Sequence, residues 1–167
     1  VEVFSYGISD DVYTIDATSD VIVENPGGGV DLVRSSITYT LGSELENLTL
    51  TGLLAINGTG NALDNEIVGN EAANRLQGLA GNDCYNLGDN VENLLLTGSA
   101  NISGTGNSLA NLITGNSGAN TLNGGNGDDT LDGGAGADQL VGGRGSDVYL
   151  VTAGDVVVEL ELQGIDT

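Results

Sequence analysis

From Gly60 to Asn86, and again from Gly106 to Leu150, one apolar side chain stands at every ninth position: Ile67, Leu76 and Tyr85, then Ile113, Leu122, Leu131, Leu140 and Tyr149. Polar or variable neighbours flank each of them. This is the period-2 pattern of a very short strand whose middle residue faces inward. The six residues ahead of each strand are rich in Gly and Asx and predict a turn, because Gly at the first, second and fourth positions admits positive φ. Strand and turn alternate with no helical segment, so two nonapeptides make one coil of a parallel solenoid. Successive coils are then about 4.8 Å apart, the ordinary strand spacing.

Full repeats run without a break through GGNGDDTLD, GGAGADQLV and GGRGSDVYL, from Gly124 to Leu150. Degenerate copies precede them at GNSLANLIT and GNSGANTLN, and an earlier run reads GNALDNEIV, GNEAANRLQ and GLAGNDCYN. A longer period lies over this one: ENLTLTG at Glu46 returns as ENLLLTG at Glu92, and NGTGN at Asn57 returns as SGTGN at Ser103. DVYTID at Asp11 followed by DVIVE at Asp20 also returns, as DVYLVT at Asp147 followed by DVVVE at Asp155. Residues 1–59 alternate in strand fashion around the Asn25-Pro26-Gly27-Gly28-Gly29 turn and are expected to form wider strand coils. The expected organisation is one continuous solenoid over 1–167: wider coils at 1–59, degenerate nonapeptides at 60–86, a wider coil at 87–105, a nonapeptide roll at 106–150 and the start of a further unit at 151–167. Because the last unit stops in mid-pattern, the chain is expected to be a piece of a longer repetitive protein, with neighbouring repeats of that parent as its partners.

Composition narrows the chemistry. The chain carries 24 Asp and Glu against 3 Lys and Arg, a formal charge of −21, which opposes any surface that tracks phosphates and argues against nucleic acid as a partner. No run of about 18 apolar residues is present, so no membrane insertion is expected of this segment. With no His, there is neither a Ser-His or Cys-His nucleophile pair nor an imidazole metal ligand. The single Cys84 excludes an internal disulfide.

Carboxylates are therefore the abundant ionisable groups, and stacking tells where they meet. Sixth-position residues 18 apart become neighbours, which pairs Asp129 with Asp147 on one edge and Asp138 with Asn120 on the other. Two carboxylates held together in turns full of carbonyl oxygens repel unless a cation lies between them. A hard ion taking 6 to 8 oxygens in adaptable geometry describes Ca²⁺ better than Mg²⁺. Upstream, the sixth position is Asn65, Asn74, Asn111 or Asn120 and the second is Asn61, Asn70, Asn107 or Asn116. Amides carry both donor and acceptor, so these turns are expected to form metal-free hydrogen-bonded ladders.

The motif Gly-Gly-x-Gly-x-Asp-x-apolar-x, matched three times in tandem, resembles the RTX family of secreted bacterial proteins. That resemblance implies an all-β, right-handed parallel β-roll with some wider β-helical coils, Ca²⁺ in the turns, and type I export followed by folding outside the cell. Carried over by position, it implies an ion between Asp129 and Asp147 that also takes carbonyls of Gly125, Gly127, Gly142 and Arg144. A second ion near Asp138 would draw on Gly133, Ala135, Asn116, Gly118 and Asn120, and Asp83 could serve similarly with Asn65. The expected function is a non-catalytic, calcium-binding module of a secreted or surface-attached protein. Two alternatives stand beside it: a fragment of a polysaccharide-active parallel β-helix enzyme, since paired carboxylates can run glycosidic chemistry, and a structural adhesin or spacer.

Overall fold

The computed structural model describes residues 2–5, 8–72, 74–159 and 164–167. Residues 160–163, inside the segment expected to begin a further unit, lie outside the described residues. No helix occurs among the described residues, and none is long and apolar enough to cross a membrane. Strands two to six residues long alternate between two faces of a parallel β-solenoid.

One face is a continuous nine-stranded sheet: Val12–Ile15, Leu32–Ser35, Asn47–Leu50, Glu66–Val68, Cys84–Asn86, Ser103–Thr105, Thr121–Asn126, Gln139–Arg144 and Val156–Val158. The opposite face is broken into a pair (Val3–Ser5, Val21–Val23), a triplet (Tyr39–Thr40, Gly58–Thr59, Leu76–Gln77) and a quartet (Asn93–Leu95, Leu112–Thr114, Thr130–Asp132, Val148–Leu150). Every pairing is parallel, and within the full repeats the register advances by 18 residues, as Leu122↔Leu140 and Leu131↔Tyr149 show. The N-terminal coils differ in length: Val12 pairs with Leu32, Leu32 with Asn47, and Asn47 with Glu66.

The core is one side chain deep from each face. On the large sheet, Tyr13, Val33, Leu48, Ile67, Tyr85, Leu122 and Leu140 form a buried column, and Leu94, Ile113 and Leu131 face it from the quartet. Gly104 and Gly58 interrupt their columns where a neighbouring Leu side chain fills the space: Leu94 Cδ2 lies 2.7 Å from a Cβ built on Gly104, and Leu48 Cδ2 lies 2.9 Å from one built on Gly58. These contacts account for the joint return of ENLxLTG and xGTGN in the sequence.

The two copies of that block nevertheless sit on opposite faces: Leu48 belongs to the large sheet and Leu94 to the quartet. Their 46-residue offset spans an odd number of half-coils, so the second copy is turned over. The same inversion separates Tyr13 and Tyr85, on the large sheet, from Tyr149, which lies on the quartet and is only partly buried. The three tyrosines, equivalent in sequence, are thus not equivalent as core residues.

Stacked turns approach so closely that glycine is required in places. Gly145 has φ 139°, and a Cβ on it would overlap the carbonyl oxygen of Gly127 one coil earlier. Gly52 has φ 81° but open space around its missing Cβ. Gly52→Ala is therefore expected to cost about 1 kcal/mol of backbone strain, whereas Gly145→Ala adds the separation of two turns, for a total of about 2 to 3 kcal/mol. Urea unfolding of both variants in the same buffer checks this; equal losses would contradict the stacking argument.

Candidate metal centre

Each edge of the solenoid carries a row of sixth-position side chains, one coil apart. On one edge, the Asn111 N–H donates to Asp129 Oδ1 at 2.7 Å, the Asp129 N–H to Asp147 Oδ1 at 2.8 Å, and the Asp147 N–H to Asp166 Oδ1 at 2.8 Å. On the other, the Asn65 N–H donates to Asp83 Oδ1 at 3.0 Å, the Asn120 N–H to Asp138 Oδ1 at 2.8 Å, and the Asp138 N–H to Asp155 Oδ1 at 3.0 Å. Each acceptor carboxylate thus spends one oxygen on the coil behind it. The second oxygen of Asp31, Asp129, Asp138 and Asp147 is buried and has no partner. A buried acceptor without a donor is costly, and a carboxylate oxygen in that state is half of a ligand set. Asp83 shares the backbone bond but contributes no oxygen to that orphaned group.

What lies beside these carboxylates depends on the second position of the turn. In the degenerate turns it is Asn, and its amide nitrogen reaches into the gap between turns to bond carbonyls of the coil behind. Asn61 Nδ2 bonds the Gly42 and Leu45 oxygens, Asn107 Nδ2 those of Gly88 and Val91, and Asn116 Nδ2 those of Thr97 and Ala100. Their sixth-position amides are fully engaged as well: Asn120 Oδ1 accepts from the Asn116 N–H at 2.8 Å and its Nδ2 donates to the Ile102 carbonyl at 3.1 Å. The expected Asn ladder therefore runs from side chain to backbone rather than from amide to amide along the stack. An NH₂ group here occupies a carbonyl-lined niche that a cation could equally fill. Where the second residue is Gly125, Gly134 or Gly143, no side chain enters that niche and the neighbouring carboxylate keeps an orphaned oxygen.

Several of the backbone groups named from the sequence pack against the turn of a neighbouring coil. Gly125 and Gly127 present their oxygens to Gly143 and Gly145 of the next coil, and Gly142 presents its own to Gly124. The Arg144 carbonyl accepts from the Gly127 N–H at 2.7 Å. Around Asp138, the carbonyls of Asn116 and Gly118 abut Gly134 and Gly136, that of Gly133 abuts Gly115, and the Ala135 N–H donates to the Asn116 oxygen at 3.3 Å. Asp128 and Asp155, outside the ligand set named from the sequence, both accept backbone N–H groups across the stack, from Ser146 and Asp138. Asp31 was also outside the expected set. Its signal was Pro26-Gly27-Gly28-Gly29-Val30-Asp31-Leu32-Val33, which fits the second, fourth, sixth and eighth positions of the nonapeptide but begins with Pro.

Burial sets the protonation of these groups. Asp129 is 1 % exposed, and desolvation above all, with the Asp147 charge adding to it, pushes its carboxyl up to about 6. Desolvation likewise raises Asp31, Asp83, Asp138 and Asp147. A carboxyl raised in the fold favours the protonated folded state, a contribution fully present below the unfolded value near 4 and lost as pH rises through about 6. In chelator the chain is therefore expected to gain β signal when the pH is lowered from about 7 to about 5, the opposite of ordinary acid unfolding. Circular dichroism at the two pH values tests this; a loss of signal on acidification would contradict it.

A parallel β-solenoid with rows of buried, half-partnered carboxylates beside open carbonyl niches defines a cation-binding β-roll. Residues 59–90 and 114–149 match the model of the RTX calcium-binding nonapeptide repeat, in four copies. Over these two segments the chain carries repeats of the RTX type, and the ion that such repeats bind is Ca²⁺. No curated protein and no solved structure matches the chain.

Proposed function

We propose that this chain is a non-catalytic structural module that folds when it binds Ca²⁺ outside the cell. The observation that carries this reading is the orphaned, buried oxygen of Asp129, Asp138 and Asp147 at turns whose second residue is Gly. At low Ca²⁺ the charge of −21 and the facing carboxylates oppose compaction and leave an export-competent chain. At the roughly millimolar Ca²⁺ bound by extracellular modules, binding free energy becomes folding free energy. Asp129 with Asp147, and Asp138 with Asn120, hold the ions, together with the turn carbonyls of Gly125, Gly127, Gly142, Arg144, Gly133, Ala135, Asn116 and Gly118; Asp83 with Asn65 forms a weaker site. The segments from 1–59 through 151–167 act as one continuous solenoid in this reading.

Limited proteolysis in chelator and in Ca²⁺ tests it. The reading expects rapid cleavage throughout in chelator and protection of 106–150 in Ca²⁺. Equal protection in both would overturn it.

A further inference from the structure

We propose that the chain builds two further divalent-cation sites of a three-carboxylate kind, one from Asp11, Glu24 and Asp31 and the other from Asp147, Glu159 and Asp166. In each trio, one carboxylate oxygen from every residue lies within 4.8 Å of the others. The first trio lies wholly outside the residues that match the nonapeptide repeat, and Glu159 and Asp166 of the second lie outside them too.

The two sites are copies of one sequence unit. Asp11-Val12-Tyr13, Asp20-Val21-Ile22-Val23-Glu24 and Gly29-Val30-Asp31 recur as Asp147-Val148-Tyr149, Asp155-Val156-Val157-Val158-Glu159 and Gly164-Ile165-Asp166. The structure gives both copies the same cross-coil bond: the Asp11 N–H donates to Asp31 Oδ1 at 2.8 Å, as the Asp147 N–H does to Asp166 Oδ1 at 2.8 Å. The two units occupy different edges of the solenoid, and each keeps the arrangement there.

A second observation points to a ligand in each, independent of the repeat turns for the Asp31 trio and shared with the Asp129 turn for the Asp147 trio. Asp31 is 0 % exposed and its Oδ2 has no partner; Asp147 is 1 % exposed and its Oδ2 has none either. The turn that carries Asp31 is backed like a calcium turn. Gly27 and Gly29 have φ 74° and 144°, and the Val30 N–H donates to Asp10 Oδ1 at 2.8 Å, just as the Ser146 N–H donates to Asp128 Oδ1 at 2.8 Å. Glu24 is held in place by the Tyr13 hydroxyl, which donates to Oε2, and by the Asn25 N–H, which donates to Oε1 at 2.9 Å.

Glu24 and Glu159 set these sites apart from the repeat turns. Each arrives from the strand that crosses the opposite face and adds a third negative charge to a stacked pair of Asp. Three ionised carboxylates at this separation repel strongly, and a cation between them removes that repulsion. Because affinity for Ca²⁺ rises with the number of charged ligands, these two sites fill before the nonapeptide turns.

The proposal rests on the reading of the chain as a calcium binder only for the identity of the ion. Equilibrium dialysis of the 167-residue chain against Ca²⁺, with bound ion counted by atomic emission, tests it with Glu24→Gln, Glu159→Gln, the double variant and Asp129→Asn. Gln keeps the size and removes the charge. Each single variant is expected to lower the affinity of one ion in the tightest class by about tenfold or more, and the double variant that of two. Terbium luminescence excited through tyrosine gives a second readout: Tyr13 touches Glu24, so Glu24→Gln is expected to lose a component that Asp129→Asn keeps.

Ion counts and affinities in the Glu variants equal to those of the unmodified chain would overturn the proposal. If Asp129→Asn alone loses ions, this inference fails and the repeat sites stand. If the unmodified chain takes up no Ca²⁺, both fail.

Discussion

Asp129→Asn is expected to help the calcium-free chain and to harm the calcium-saturated one. Without metal, Asp129 gives one oxygen to the Asn111 N–H at 2.7 Å and leaves the other buried and unpartnered. A buried orphan of this kind costs about 1 to 3 kcal/mol. Asn120, in the equivalent position of a neighbouring turn, partners both its amide oxygen and its amide nitrogen. Asn at 129 can adopt that pattern and removes a charge that burial opposes. In chelator the variant should therefore keep more β signal than the parent.

With calcium the balance reverses, because the ion between the stacked turns loses one of its charged ligands. A site filled at a hundredfold excess over its Kd contributes about 2.7 kcal/mol, and most of that is lost with the ligand. Circular dichroism and urea unfolding in both conditions read the two signs. An effect of the same sign in chelator and in Ca²⁺ would contradict the assignment of Asp129 as a ligand.

Leu131→Ala is expected to cost about 2 to 5 kcal/mol, a large fraction of the roughly 5 to 15 kcal/mol that holds an ordinary domain. Leu131 is 0 % exposed and stacks between Ile113 and Tyr149 in the column of the quartet. The core is only one side chain deep from each face, so no second layer can move in to fill the cavity. Leu95, in the same sheet but 66 % exposed, serves as the control; Leu95→Ala should stay within about 0.5 kcal/mol. Urea unfolding in Ca²⁺ measures both, and comparable losses would mean that the inward and outward positions are assigned to the wrong faces.

The repeat length made much of this legible in advance. Nine residues per half-coil place Ile113, Leu131 and Tyr149 in one column and Asp129 beside Asp147, and the structure has both. The period also accounts for the parallel pairing, since consecutive strands on one face are separated by a complete coil.

Other features could not be read from a linear pattern. The inversion between Leu48 and Leu94 depends on counting every insertion between them: the 46-residue offset makes five half-coils, an odd number, which turns the copy over. Asp31 escaped because Pro26 replaces the first glycine of its turn, although the second and fourth positions keep theirs. The role of Asn61, Asn107 and Asn116 as plugs of a carbonyl niche follows from where an amide nitrogen points, which composition does not encode. Glu24 and Glu159 reach their Asp partners from the far strand, and only the path of the coil brings them together.

Far-UV circular dichroism of this chain, titrated with Ca²⁺ from a chelated start and in parallel with Mg²⁺, tests calcium-driven folding most directly. The account predicts weak β signal in chelator, a cooperative gain on adding Ca²⁺, and little response to Mg²⁺ at the same concentration. A full β spectrum in chelator that Ca²⁺ leaves unchanged would contradict it.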